Sequence, residues 1–118
     1  ESESPLHHFE EVQPPPPVQS IIKQAASYAE LNRISDKILS ELEGRHSAIL
    51  LLCSPSDETG QTLVAATLGY TIARKTELAV LLVDANMRHP SLHTLFGVKQ
   101  KNGLTRMIKE NLPWQSVV

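Results

Sequence analysis

Two uninterrupted apolar runs, parted by a polar loop and a longer segment of helical spacing, constrain this chain more than any other feature. Residues 48–53 read Ala-Ile-Leu-Leu-Leu-Cys, and residues 78–83 read Leu-Ala-Val-Leu-Leu-Val before Asp84. Between them lie the loop Ser54-Pro-Ser-Asp-Glu-Thr-Gly-Gln-Thr62 and a segment at 63–75 whose apolar residues recur every three or four positions. Short apolar runs separated by a 3.6-period stretch are the pattern of a strand–helix–strand unit. A strand buried on both faces has no need of polar alternation, and neither run contains any. The expected fold is therefore α/β, with parallel strands, flanking helices and a right-handed crossover through 63–75. In such units the loop leaving the first strand faces the ligand side of the sheet. Two strands alone would leave long edges, so the chain is expected to dimerise, swap segments or recruit another strand.

The 118 residues and ordinary apolar content, 41%, fit one small domain. Aromatic residues make up 4%, so the core should be aliphatic. A net charge of −2 gives no pull toward nucleic acid or anionic lipid. One cysteine cannot close an internal disulfide, so a reducing compartment is expected. No apolar run is long enough to cross a bilayer, and no signal-peptide pattern opens the chain. The first residue is Glu1 and not Met, which suggests a fragment of a longer protein.

Residues 1–20 read as a disordered, proline-rich tail or linker, because Pro14-Pro-Pro-Pro17 favours polyproline II. His7 and His8 have no third ligand nearby in sequence, so a metal role is not expected of them. Residues 21–44 read as one amphipathic helix with Tyr28, Leu31, Ile34, Ile38 and Leu42 on its apolar stripe. Ser27 and Glu30 fit a capping box, which would mark a break or a later start, and Gly44 is a natural stop. Cys53 reads as core, since no base stands at triad-like spacing. In the helix expected over 62–75, Leu63, Ala66, Leu68, Ile72 and Ala73 should be buried, with Arg74 and Lys75 at the negative end of the dipole. Pro90 ends the second apolar segment and precedes a short helix from Ser91 that Gly97 closes. Asn102-Gly103 is a turn before a last helix at 104–110, with Met107 and Ile108 inward. His89 and His93 have a spacing that binds metal on a helix, but Pro90 stands between them.

A phosphate loop needs glycines so that backbone N–H groups converge, a lysine against the phosphates, and a hydroxyl for magnesium. Residues 55–62 align with Gly-x-x-x-x-Gly-Lys-Ser/Thr at Gly60 and Thr62; Pro55 replaces the first glycine and Gln61 the lysine. The helix that follows would aim its dipole at an anion. Losing a lysine–phosphate contact at roughly 4 Å removes about 4 kcal/mol of gross attraction at an effective dielectric near 20. Asp57 and Glu58 act in the same unfavourable direction.

The segments Tyr28-Ala-Glu-Leu-Asn-Arg33, Ser54-Pro-Ser with Gly60 and Thr62, Val80-Leu-Leu-Val-Asp-Ala-Asn-Met-Arg-His-Pro-Ser-Leu-His-Thr-Leu-Phe-Gly97 and Asn102-Gly-Leu104 resemble the bacterial tyrosine autokinases of capsule and exopolysaccharide synthesis. Those kinases share a broad class with the partitioning and septum-positioning ATPases. The resemblance implies a P-loop NTPase-like βαβ fold, with residues 21–118 as the N-terminal part of a larger three-layer domain. It implies ATP with magnesium as cofactor, bound weakly or not at all here. Asp84 becomes the catalytic acid and, with Thr62, a magnesium residue; Ser56, Gly60, Gln61, Thr62, Asn86 and Arg88 become the nucleotide contacts. Asn86 stands where the family has a second aspartate. Glu30 and Arg33 match two members of a Glu-x-x-Arg-x-x-Arg oligomerisation motif whose third position here is Asp36. The Walker B segment and the C-terminal tyrosine cluster of the family are absent; Tyr28 and Tyr70 are the two tyrosines.

The function so implied is a kinase-like, catalytically degenerate component in the regulation or assembly of polysaccharide export. The alternative is an active tyrosine autokinase or partitioning-type ATPase completed by sequence outside these residues. The implied partners are a polysaccharide co-polymerase or membrane activator and further copies of the chain, with no nucleic acid. The implied location is cytoplasmic, at the inner face of the membrane through a partner or an upstream segment.

Overall fold

In the computed structural model, residues 11–56 and 60–118 are described. Among these residues five α-helices follow in chain order: α1 (Pro16–Ala26), α2 (Ala29–Leu42), α3 (Gln61–Lys75), α4 (Leu92–Leu95) and α5 (Leu104–Glu110). A 3-10 turn, Trp114–Ser116, comes last. No strand occurs among the described residues. The fold is all-α there, and this overturns the expected α/β, P-loop NTPase-like βαβ arrangement with parallel strands. The physical reason is a missing ladder. A strand exists only while its amides and carbonyls pair with a neighbour, and among the described residues the two apolar runs form no such pairing. Both are irregular and largely open to solvent. Ile49 is 98% exposed, Leu51 81% and Val83 61%. Cys53, expected in the core, is exposed as well.

The chain divides into two compact units, Gln19–Leu82 and a second formed by Val83–Val118 with the segment up to Val18. In the first, α2 packs on α3. Its core is small: Ile22, Ala66, Leu68 and Ile72 are buried, together with the polar Ser35, Thr67 and Thr71. The α3 helix begins at Gln61, one residue before the expected start, and buries Ala66, Leu68 and Ile72 as its spacing requires. Ala73 is exposed and Leu63 half-buried. Gly69 brings α3 close to the 78–83 segment, where a Cβ would stand 2.7 Å from Leu82 Cδ2.

The stretch expected as one helix at 21–44 is two. Ser27 N donates to the Lys23 and Gln24 carbonyls and Tyr28 N to that of Ala25, which closes α1. The capping box does not form. Ser27 Oγ donates backward to Gln24 O at 2.6 Å, and α2 starts from Tyr28 without a side-chain cap. The stripe is also rotated: Tyr28 and Ile34 are exposed, and Ser35 is fully buried between half-buried Leu31 and Ile38. After α2, Gly44 takes the left-handed φ of 76° that favours glycine.

In the second unit, α5 spans its expected residues and is preceded by Gly103. Met107 is half-buried, whereas Ile108 is 62% exposed. Gly97 follows α4 with φ 67°, and a Cβ there would meet Pro15 Cγ at 3.2 Å. Pro14 is buried. The proline run is thus not a free tail throughout. Pro16 and Pro17 form the first turn of α1, where an amide proton is not needed. Residues 1–10, including His7 and His8, lie outside the described residues.

Candidate functional site

The residues expected to hold nucleotide fall in the two units, and each group has its own local geometry. In the first unit, Gly60 takes φ 76° and ψ 12°, a left-handed conformation, and serves as the N-cap of α3. Only glycine reaches this geometry without steric cost, so the glycine is explained by the turn into the helix. Gly60 O accepts the first helical bond, from Val64 N at 3.0 Å. Gln61, in the place of a phosphate-loop lysine, turns its amide back: Nε2 donates to Leu52 O at 2.5 Å. That bond ties the start of α3 to the apolar run before the loop. Thr62 is half-buried. Ser56 is exposed, and its carbonyl accepts a hydrogen bond from Ser54 Oγ at 2.7 Å. Leu51, Leu52, Cys53, Ser54, Pro55, Gln61 and Val64 line an open recess here, and among the described residues no lysine or arginine joins its wall. Asp57 and Glu58 lie outside the described residues.

In the second unit, Asp84 organises the loop that leads to α4. Its Oδ1 accepts from Asn86 N at 3.0 Å, and its Oδ2 accepts from Ser91 N at 2.9 Å and Leu92 N at 3.0 Å. Asn86 repeats the device one step on, its Oδ1 accepting from Arg88 N at 3.2 Å and His89 N at 3.0 Å. Two nested side-chain turns therefore shape residues 84–92, as short polar side chains do when they satisfy nearby amides. Partial burial raises the Asp84 pKa. The three backbone donors, with the charge of His93, outweigh it and hold the carboxyl below its ordinary value. Arg88, expected as a nucleotide contact, is exposed at the tip of this loop beside Met87 and His89. Among the described residues no group of three His, Cys, Asp or Glu side chains gathers as a metal site, the pair His89 and His93 included.

The oligomerisation residues Glu30 and Arg33 are exposed on α2. Asp36, where the motif has its third basic residue, is engaged within the chain: Lys75 Nζ lies 3.3 Å from its Oδ1. The same ammonium donates to Asn32 Oδ1 at 2.9 Å and Ser35 Oγ at 3.3 Å, so Lys75 joins the end of α3 to α2. Apolar periodicity could not reveal this contact, because its partners are polar and some forty positions apart. Among the described residues no helix is long and apolar enough to cross a membrane.

Comparison with known proteins finds similarity to the protein described as "Putative tyrosine-protein kinase AmsA" of Erwinia amylovora, at 35% identity over 68 residues. The match covers 58% of this chain and 9% of that protein's length. No family model matches the chain. No solved structure matches it either. The chain is thus similar, over a little more than half its length, to a small part of a tyrosine-kinase relative.

Proposed function

We propose that this chain is a catalytically degenerate, kinase-like segment acting in the regulation or assembly of exopolysaccharide or capsule synthesis. The observation that carries the reading is the similarity to AmsA, taken with the glutamine at the lysine position of the loop. A neutral amide cannot replace the charge of a lysine against phosphate. In addition, the Gln61 amide is spent on Leu52 O and holds the loop to the chain before it. Gly60 and Thr62 are then remnants of a nucleotide loop, and Asp84 is kept for the loop it shapes. The partners in this reading are a polysaccharide co-polymerase or membrane activator, and further copies of the chain through Glu30 and Arg33. Calorimetric titration with ATP and magnesium tests it. Heats should be weak or undetectable, and micromolar, magnesium-dependent affinity would overturn the reading.

One observation favours a second reading. The chain spans 9% of the length of AmsA, so a site could draw its remaining parts from other segments. That reading expects ATP turnover by the full-length protein, with little change on Gln61→Lys. Absence of turnover in that protein would exclude it.

A further inference from the structure

The second unit holds an asparagine–glycine step with an arginine bound to it. The sequence has four asparagines, and only Asn102 precedes a glycine. The others precede Arg33, Met87 and Leu112, whose side chains crowd the amide that follows. At Gly103 that amide is open. A Cβ built there would meet nothing within 4 Å, the residue is exposed, and among the described residues Gly103 N donates no backbone hydrogen bond. The Asn102 side chain, by contrast, is held. Arg106 Nη1 donates to Asn102 Oδ1, and Arg106 Nε donates to Glu110 Oε1 at 2.9 Å. A guanidinium has donors only, so the atom against it is the amide oxygen and not Nδ2. A turn before α5 explains the glycine, and an ion pair at i, i+4 explains Glu110. Neither explains a cation on the amide oxygen of the one asparagine that precedes an open glycine nitrogen. Together these groups make a nucleophile without a partner, a carbonyl carbon one residue before it, and a positive charge on the carbonyl oxygen.

We propose that Asn102 is a self-modification site, deamidating in the folded chain with Arg106 stabilising the oxyanion. Gly103 N gives its proton to solvent hydroxide and attacks Asn102 Cγ, forming a C–N bond. Negative charge develops on Oδ1 against the Arg106 guanidinium, and a fixed cation there lowers the barrier. Collapse breaks the Cγ–Nδ2 bond, Nδ2 takes a proton from water, and ammonia leaves. Water then opens the succinimide at either carbonyl, giving aspartate or isoaspartate. Nothing is oxidised or reduced, and water is the co-reactant. The product adds one negative charge beside Arg106 at the entry to α5. None of these residues belongs to the nucleotide loop, so the kinase reading and this one are tested separately. The 118-residue chain is incubated at neutral pH, and peptide mapping follows the amide-to-acid mass gain at Asn102 and the isoaspartate formed. The control is the free peptide of residues 99–106, below the roughly 12 residues an isolated helix needs, so Arg106 is not held there. The folded chain should react several-fold faster than the peptide. Arg106→Gln should bring the chain down to the peptide rate, while the same change in the peptide does little. Gly103→Ala should slow chain and peptide alike by about tenfold or more, since a Cβ crowds the attacking nitrogen. Both positions are exposed, so circular dichroism of each variant should match that of the parent chain. The comparison of parent chain with peptide needs no variant, and a misfolded one leaves it intact. The proposal fails if the folded chain reacts no faster than the peptide, or if a folded Arg106→Gln chain reacts as fast as the parent.

Discussion

At the scale of single residues, polar side chains carry the specificity that apolar matter does not. Asp84 accepts three backbone hydrogen bonds, and its removal should be felt at the amides it serves. Bonds to a charged acceptor are worth about 1.5–3 kcal/mol each in favourable cases, less when exposed. Asp84→Ala is therefore expected to cost about 2 kcal/mol locally and to speed hydrogen exchange at Leu92 N–H; unchanged exchange there would refute the role. The pH dependence has a definite sign. A carboxyl held below its ordinary value contributes stability above its unfolded pKa and loses it as pH falls through the folded one. Protection of the 84–92 loop should thus persist at neutral pH and fade below about pH 4, near the ordinary aspartate value. Lys75 is a second case. Its pair with Asp36 is solvated, so the ion pair alone is worth at most about 1 kcal/mol. Lys75→Met keeps the aliphatic stem and should lower stability by about that amount, read as a small fall in urea midpoint.

At the scale of elements, α3 is the organiser. It carries most of the buried residues, and two glycines shape it for different reasons. Gly60 enters the helix through the left-handed region, so Gly60→Ala should cost about 1 kcal/mol in the melting transition. Gly69 is different, since its φ is not left-handed and its demand is for space. A Cβ would meet Leu82 Cδ2, the end of a flexible side chain. Alanine there gains about 1 kcal/mol of helix propensity against a small repacking cost, so Gly69→Ala is expected to be near neutral. Gly69→Leu should instead destabilise by about 1–3 kcal/mol through overpacking. A Leu variant as stable as the Ala one would show that the contact between α3 and the 78–83 segment is loose. Helices were the legible elements because their signals are local. The 3.6-residue spacing marked α3, Pro90 and Gly97 bracketed α4, and Gly103 preceded α5. The break between α1 and α2 was legible only as a capping box at Ser27, and the box was not the device used.

At the scale of the whole molecule, the described core holds few large side chains, and that bears on association. Ile49 and Leu51 are exposed in an uncharged run, a composition prone to contact with other chains. Replacing both by Ser should raise solubility and leave the α3 helix signal intact in circular dichroism. If it instead abolishes helicity, the run belongs to the folding core. Much of what the chain is could be determined from sequence alone: the helix ending at Lys75, the short helices around 92–95 and 104–110, and the glycine turns. These follow from interactions within a few residues, where spacing and backbone chemistry suffice. Tertiary structure decided the rest. Whether residues 47–53 and 78–83 become strands depends on a partner for every amide, and a run of Leu and Val cannot encode that partner. Nor could apolar patterning reveal that Ser35 is buried, that Lys75 joins α2 to α3, or that Asp84 spends its oxygens on Asn86, Ser91 and Leu92. Each of these is a polar contact whose free energy depends on geometry the chain acquires only on folding.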